Sequence, residues 1–255
     1  MRKINSKGIL THTYKCGLCH DTGYVIQSVI VPEYDPETPV NIGDPCPVCC
    51  GRTNDYVTGI PSMFSEVDIN HFDFGKYELE TRDFEKIARS FFERFEEWEK
   101  SGKGLYLWSK TPGSGKTFLA CCLALSINEK YKRRIAFIPV PEYLAKVSES
   151  YKKEAGEQSG LYAYKNCDLL ILDDLGSEKR GEWQNQELFH LINDRMNQSK
   201  PTIVTSNIPL SELKCEERII NRLNKQSIPL HFPEVSIRTR LADEENKKFL
   251  KSVLA

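Results

Sequence analysis

Residues 104–117 read GLYLWSKTPGSGKT, and this stretch decides the fold class. Its first six residues are mostly apolar and predict a buried strand, and the residues from 116 to 129 predict a helix. Gly113 and Gly115, between the two, let successive backbone N–H groups turn toward one point, and the start of the helix adds the positive end of its dipole. The stretch therefore predicts a phosphate-binding loop between a strand and a helix.

The side chains of this loop suit ATP and Mg²⁺. Lys116 is expected to reach the β- and γ-phosphates, and the Thr117 hydroxyl is expected to ligate Mg²⁺. The usual pattern begins with glycine, where this chain has Lys110, so a glycine-rich turn without a ligand is the alternative interpretation. The loop residues predicted to bind nucleotide are Thr111, Pro112, Gly113, Ser114, Gly115, Lys116 and Thr117.

Strands and helices alternate outward from the loop. Strands are predicted over residues 104–109, 134–140, 167–173, 201–206 and 227–232. Helices are predicted over residues 83–100, 116–129, 182–197, 211–223 and 241–254. Strands that are separated by helices favour a doubly wound arrangement, so the sequence predicts an α/β fold with a five-stranded parallel sheet.

Polar side chains end the third and fourth predicted strands. Asp173 and Asp174 follow an apolar run, where one carboxylate can hold Mg²⁺ through water and a second can orient an attacking water. We assign Asp173 to the metal and Asp174 as the candidate base, with a turn or a helix cap as the alternative. Asn207 ends the fourth strand and contacts either the attacking water or the γ-phosphate, or is simply a turn residue before Pro209.

Residues 1–60 form a separate, cysteine-rich region that holds five of the nine cysteines and short β-type runs. Two Cys-x-x-Cys pairs, separated by twenty-six residues, predict one tetrahedral, structural Zn²⁺ in a small β-rich domain. The predicted ligands are Cys16, Cys19, Cys46 and Cys49. Cys50 is an alternative to Cys49, His20 is a spare ligand, and buried thiols or a redox pair are the other interpretations. We place the boundary between this domain and the nucleotide-binding domain at residues 60 and 61.

The net charge and the distribution of apolar residues argue against a secreted protein, a membrane protein and a protein with a strongly basic surface. A formal net charge of −1 provides no bulk positive field, so any DNA contact must come from a local patch. The basic, polar N-terminus lacks the apolar core of a secretory signal, and no apolar run reaches the length of a membrane span. We therefore expect a cytoplasmic protein with no membrane partner, where clustered cysteines bind metal rather than form disulfides.

The chain resembles the AAA+ ATPases of the DnaC/DnaI helicase-loader and IstB group over about residues 62–240. The resemblance lies in the order of the loop, LLILDDLG at 169–176, TIVTSN at 202–207, ERIINRL at 217–223 and SIR at 236–238. It implies an AAA+ core with a lid of at most one short helix. A zinc-binding head before such a core is more similar to the DnaI-type loaders than to IstB.

The resemblance also implies roles for single residues. Asn207 would be the sensor-1 residue, and Arg238 would be sensor 2, acting on the nucleotide of its own subunit. Arg218 matches the arginine finger, which would reach the γ-phosphate of a neighbouring subunit, with Arg222 assisting from the same helix face. The alternative for both arginines is a solvated helix face that is neutralised by Glu216 and Glu217.

A basic and aromatic stretch lies between the second and third predicted strands. Such residues can track a phosphate backbone and stack on bases, which would make the stretch a single-stranded DNA surface. Its members are Lys146, Tyr151, Lys152, Lys153, Tyr162, Tyr164 and Lys165. The alternative, which the sequence alone favours, is an exposed amphipathic helix whose lysines are offset by Glu142, Glu149, Glu154 and Glu157.

The function implied is a weak, Mg²⁺-dependent ATPase that loads a replicative helicase onto single-stranded DNA. Its expected partners are the helicase, held by residues 1–60, single-stranded DNA, and further copies of the chain through the Arg218 face. One alternative is an IstB-type helper ATPase for a transposase. Another is a zinc-headed nucleic-acid-binding module in which the nucleotide serves only as a switch.

Overall fold

The computed structural model describes residues 57–76, 83–151, 159–177 and 181–239, short strands before residue 46, and isolated helical positions after residue 245. The chain divides into two compact units, Met1–Asp55 and Tyr56–Ala255. This division falls five residues before the boundary that the sequence suggested, because Val57 and Thr58 pair with a strand of the larger unit.

The smaller unit contains two antiparallel strand pairs. β1 (Arg2–Ile4) pairs with β2 (Leu10–His12), and β3 (Tyr24–Val29) pairs with β4 (Val40–Pro45). The proposed zinc ligands, together with Cys50 and His20, lie outside the described residues. Within the described part of the chain, no group of three or more potential metal ligands occurs. The zinc site therefore stays a prediction.

The larger unit is built on a parallel sheet in the order β10-β6-β9-β8-β7-β5. Its strands are β5 (Val57–Thr58), β6 (Gly104–Trp108), β7 (Ile135–Pro139), β8 (Leu169–Leu175), β9 (Thr202–Ser206) and β10 (Ser227–His231). The predicted α/β class and parallel sheet are confirmed, but the predicted count of five strands is wrong. The sixth strand, β5, is two residues long, which is too short to produce a periodic pattern.

Seven α-helices cover the sheet in the described part of the chain. They are α1 (Phe84–Glu93), α2 (Phe95–Ser101), α3 (Lys116–Tyr131), α4 (Val140–Ser150), α5 (Ser159–Asn166), α6 (Glu182–Asn197) and α7 (Glu217–Gln226). Short 3₁₀ turns lie at Ser62–Phe64, Ile69–His71, Phe74–Lys76 and Leu210–Glu212. No described helix is long and apolar enough to cross a bilayer.

Three helix predictions need correction or fall outside this description. The helix predicted over 83–100 is divided at Arg94, whose backbone leaves the helical region at φ −117° and ψ 33°. The helix predicted over 211–223 is a 3₁₀ turn followed by α7. Most of the helix predicted over 241–254 lies outside the described residues.

Alternate residues of the strands enter two separate cores. Leu105 and Leu107 of β6 pack into a cluster with α1 and α3, whereas Tyr106 joins a second cluster with α4, α6 and α7. Both faces of the four central strands, β6 to β9, are therefore covered, which explains their nearly continuous apolar runs in the sequence. In the sheet, β9 lies between β6 and β8, so the carboxyl ends of these three strands meet at one edge.

Candidate nucleotide-binding site

The loop after β6 has the backbone that a phosphate-binding loop needs. Gly113 (φ 77°) and Gly115 (φ 96°) both occupy the left-handed region, where a side chain would be strained. Lys110 is not among the described residues with positive φ, so its position does not require the usual glycine. Its backbone N–H donates to Glu234 Oε1 at 2.9 Å, which fixes the first residue of the loop.

Lys116 begins α3 and is buried within the loop. Its Nζ donates to Ser114 Oγ at 3.1 Å and to the carbonyl oxygen of Thr111 at 3.2 Å. Burial lowers the pKa of Lys116, and the carboxylates of Glu234, Asp174 and Asp173 oppose that shift. The loop thus holds its cation in a desolvated position, where attraction to a phosphate is strong.

Thr117 and Asp173 meet across the gap between α3 and β8. Thr117 Oγ1 donates to Asp173 Oδ1 at 2.9 Å, and Thr205 Oγ1 donates to the same oxygen at 2.7 Å. Burial raises the pKa of Asp173, while the two hydrogen bonds act in the opposite direction. A hydroxyl and a carboxylate at this distance fit the all-oxygen coordination that Mg²⁺ prefers.

Asp174 has an unusual backbone. Its φ is +59°, and its N–H donates to Thr205 Oγ1 at 2.9 Å. Asn207 Nδ2 donates to Asp174 Oδ1 at 3.2 Å. The structure therefore brings Asp173, Asp174 and Asn207 together beside the loop, as the strand ends suggested, although their catalytic roles stay predictions.

The segment after β10 is fastened across the loop. The backbone N–H groups of Ile237 and Arg238 donate to the carbonyl oxygen of Gly113 at 3.0 and 3.3 Å. A Cβ atom on Gly113 would lie 2.9 Å from Ser236 Oγ, a distance shorter than Cβ atoms keep from other heavy atoms in proteins. The backbone of Arg238 thereby lies against the loop, while its sensor-2 role stays a prediction.

Sequence reasoning missed Glu234 in this segment. Its carboxylate accepts hydrogen bonds from Lys110 N, Ser109 Oγ (3.1 Å) and His231 Nε2 (2.9 Å). Although burial favours its neutral form, hydrogen bonds from His231, the Lys110 backbone and the hydroxyls of Thr111 and Ser109 lower the pKa of Glu234 to about 2. Glu234 is thus an anion that braces the start of the loop.

Arg218 and Arg222 of α7 share one aromatic platform. Their Cζ atoms lie 4.2 and 4.3 Å from the ring centroid of Phe189 on α6, within cation–π range. Arg218 also pairs with Glu216, and Arg222 Nε donates to Asn193 Oδ1 at 2.8 Å. Neither arginine has a described hydrogen bond or ion pair to the phosphate-binding loop of its own chain.

A sequence model of the IstB-like ATP binding protein family matches residues 62–217. The chain belongs to this family. The match contains the phosphate-binding loop, both aspartates and Asn207, and it confirms the resemblance that rested on the order of the motifs.

Curated relatives of this IstB-like protein include two replicative helicase loaders. DnaI of Bacillus subtilis (strain 168) is 34% identical over 129 residues, which cover 50% of this chain and 40% of DnaI. DnaC of Escherichia coli (strain K12) is 22% identical over 162 residues, which cover 62% of this chain and 64% of DnaC. The chain thus spans less than two thirds of the length of these relatives.

Solved structures show the same fold. A crystal structure of the DnaC helicase loader has a TM-score of 0.57 at 23% identity, over 68% of this chain and 99% of that chain. A crystal structure of DnaI has a TM-score of 0.57 at 25% identity, over 69% of this chain and 96% of that chain. The IstB-like protein is therefore homologous to the DnaI and DnaC loaders and has their AAA+ core.

Three described members of the basic and aromatic stretch of this IstB-like protein contact other residues of the chain. Lys146 pairs with Glu142, Lys165 pairs with Asp194, and Tyr164 packs edge-on against Tyr143. These contacts agree with the alternative of an amphipathic helix. Lys152, Lys153 and the side chain of Tyr162 lie outside the described residues.

Tyr151 differs from the rest of that stretch. It is 66% exposed, and its ring lies 6.1 Å from that of Trp183, which is 38% exposed at the start of α6. The Tyr151 hydroxyl donates to Glu187 Oε1 at 2.9 Å, which orients the ring. Sequence reasoning did not select Trp183, because its partner lies 32 residues earlier in the chain.

Proposed function

We propose that this IstB-like protein is a weak, Mg²⁺-dependent ATPase that loads a replicative helicase onto single-stranded DNA. The observation that carries the proposal is the convergence of Lys116, Thr117 and Asp173 at one edge of the sheet. The DnaI and DnaC relatives are replicative helicase loaders, which supports the loading role.

In this proposal different residues bind the phosphates, bind the metal and activate the attacking water. The backbone of residues 111–117 cradles the phosphates, and Lys116 exchanges its loop partners for phosphate oxygens. Thr117 and Asp173 would hold Mg²⁺, which would supply positive charge to neutralise the phosphates. Asp174, oriented by Asn207, accepts a proton from the attacking water, and Arg238 contacts the nucleotide of its own subunit.

Assembly would control hydrolysis in this proposal. Arg218 and Arg222 lie on a helix surface and have no described link to the loop of their own chain, which suits action on the nucleotide of a second copy. The planar, permanently charged guanidinium neutralises the charge that spreads over the phosphoryl oxygens. Hydrolysis would then require neighbouring subunits.

Single-stranded DNA and the helicase are proposed to bind two different parts of the chain. The exposed Tyr151–Trp183 pair offers ring faces for bases of single-stranded DNA. Residues 1–60 hold the helicase through a head stapled by Zn²⁺ on two Cys-x-x-Cys pairs, since the stretch between the pairs is acidic and apolar rather than basic. The protein works in the cytoplasm, where its partners are.

A loading assay tests this function. The full chain is mixed with the replicative helicase of the same cell and circular single-stranded DNA, and the helicase retained on the circles is measured with ATP and with ADP. Retention is expected to require ATP and to be lost in Lys116→Ala. A helicase that never binds the chain, in either nucleotide, contradicts the proposal.

A transposase helper is the second candidate, and the description of the matching family as IstB-like favours it. Capture of a transposase by the full chain, without any helicase contact, would decide for it.

A further inference from the structure

One buried hydroxyl on β9 contacts both acidic residues of the site. Thr205 Oγ1 donates to Asp173 Oδ1 at 2.7 Å and accepts from the Asp174 N–H at 2.9 Å. The residue is 2% exposed, so water does not compete for either bond. The single proton of the hydroxyl and one of its two acceptor positions are therefore committed to the acidic pair.

The pairing of β8 with β9 explains why this hydroxyl is needed. Leu172 pairs with Val204 and Leu175 pairs with Ser206, so Thr205 alone faces the two residues Asp173 and Asp174. Two residues opposite one form a β-bulge, which leaves a backbone group without its ladder partner. The Thr205 side chain supplies that partner for the Asp174 N–H.

The bulge also sets the direction of both carboxylates. Asp174 takes the left-handed conformation at φ +59°, and its carboxylate then meets the Asn207 amide. Asp173 stays directed at Thr117, because the Thr205 hydroxyl holds the same carboxylate oxygen from the side of β9. A left-handed aspartate is strained, and it persists only where its surroundings hold it.

We propose that Thr205 is a positioning residue that holds Asp173 for the metal and Asp174 for the attacking water. This proposal rests on the proposed Mg²⁺-dependent ATP chemistry. In this proposal Thr205 acts only through its contacts with Asp173 and Asp174. The hydroxyl acts by fixing the bulge, so that the two neighbouring carboxylates take two different directions.

Removal of the hydroxyl has a specific expected result. In Thr205→Val the Asp174 N–H loses its acceptor, Asp173 loses one of its two donors, and the bulge relaxes. A hydrogen bond to a charged group changes an equilibrium constant by roughly ten- to a hundredfold, so the gain in ATP affinity that Mg²⁺ provides should fall by about that factor. Affinity measured in EDTA should stay unchanged, because the loop and Lys116 are untouched.

Thr202 provides a matched control on the same strand. It is also a buried threonine, but its hydroxyl accepts from Arg195 Nε at 3.0 Å at the opposite end of β9. Thr202→Val should lower the melting temperature without changing the gain from Mg²⁺. Thr205→Ser, which keeps the hydroxyl, should restore that gain.

The experiment measures the affinity of a fluorescent ATP analogue with Mg²⁺ and with EDTA for the full chain and each variant, with thermal melting alongside. Thr205→Ala replaces Thr205→Val if the valine does not fold. A gain from Mg²⁺ that survives removal of the hydroxyl, or that Thr202→Val loses equally, overturns the role of Thr205 alone. A wild-type chain that gains nothing from Mg²⁺ overturns the proposed ATP chemistry, and the role of Thr205 with it.

Discussion

The backbone N–H of Ile237 donates to the carbonyl oxygen of Gly113 at 3.0 Å, so the segment after the last strand lies directly on the phosphate-binding loop. This contact leaves no room for a side chain on Gly113, whose Cβ would approach Ser236 Oγ at 2.9 Å and Arg238 Cβ at 3.0 Å. Gly113 is therefore required for two separate reasons, its left-handed φ and the lack of space for a Cβ atom.

Gly113→Ala is therefore expected to weaken ATP binding at least tenfold and to destabilise the fold by about 1–2 kcal/mol, the cost of a left-handed side chain. Fluorescent nucleotide titration and thermal melting measure the two effects. Gly75→Ala is the control, because Gly75 does not have positive φ and its Cβ would meet only Asp73 Oδ1 at 3.3 Å. Equal behaviour of the two variants would contradict this account of the loop.

Lys116→Ala is expected to abolish binding of a fluorescent ATP analogue, because the phosphates lose the ammonium that attracts them. The fold should persist, because removal of a buried charge also removes the cost of burying it. Lys110→Ala is the control, since its Nζ pairs with Glu212 on the surface at 2.9 Å. Affinity like that of the wild type in Lys116→Ala would exclude the loop as the site.

Asp173→Asn should weaken only the Mg²⁺-dependent part of ATP binding. Asp174→Asn should bind ATP but not hydrolyse it.

Arg218→Ala is expected to lower ATP turnover without changing ATP affinity. An arginine finger raises kcat by a factor of roughly 10³–10⁵ in related enzymes. A weak ATPase should lose less of its turnover rate, about tenfold or more. A mixture of Arg218→Ala and Lys116→Ala chains should recover turnover, because each variant keeps what the other lacks. If the two variants assemble together and still show no recovery, Arg218 does not act on a neighbouring subunit.

Metal analysis of protein purified without added zinc is expected to return about one equivalent of Zn²⁺, since closed cysteine sites bind tightly. Cys46→Ser should release the metal while the nucleotide-binding unit still binds ATP. Cys49→Ser should release it and Cys50→Ser should retain it. The reverse result for the last two would place the fourth ligand at Cys50.

Trp183→Ala is expected to weaken binding of single-stranded DNA about fivefold to a hundredfold, the value of one stacked base. Tyr151→Ala should act in the same direction, and affinity should fall as salt rises. Met63→Ala controls for the loss of an exposed apolar side chain, because Met63 is 77% exposed in a different part of the chain. A uniform effect of all three would remove the aromatic pair as the DNA surface.

Local patterns predicted the parts of the site that lie within one stretch of chain. The loop and the aspartates were found because glycines, a lysine and an apolar strand stand side by side in the sequence. Thr205 and Glu234 were not selected, because Asp173 and Lys110, the partners that connect them to the site, lie 32 and 124 residues away. Hydrogen bonds across such distances leave no periodic signal in the sequence.

The same limit explains the errors in the fold. The break at Arg94 is invisible in the sequence, because Phe91 and Phe95 keep helical spacing across it and both are buried. The strand at residues 57–58 exists because β7 offers it a free edge, and two residues are too few to show alternation. Tertiary contacts, and not local preference, set both features.

Helix α6 links the exposed Tyr151–Trp183 pair to the two arginines of α7. Trp183 stands in its first turn beside Tyr151, and Phe189 and Asn193 further along hold the guanidinium groups of Arg218 and Arg222. A helix of 16 residues is a stiff rod about 24 Å long. A displacement of α6 as one rigid body would therefore move Trp183 and the groups that hold both arginines together.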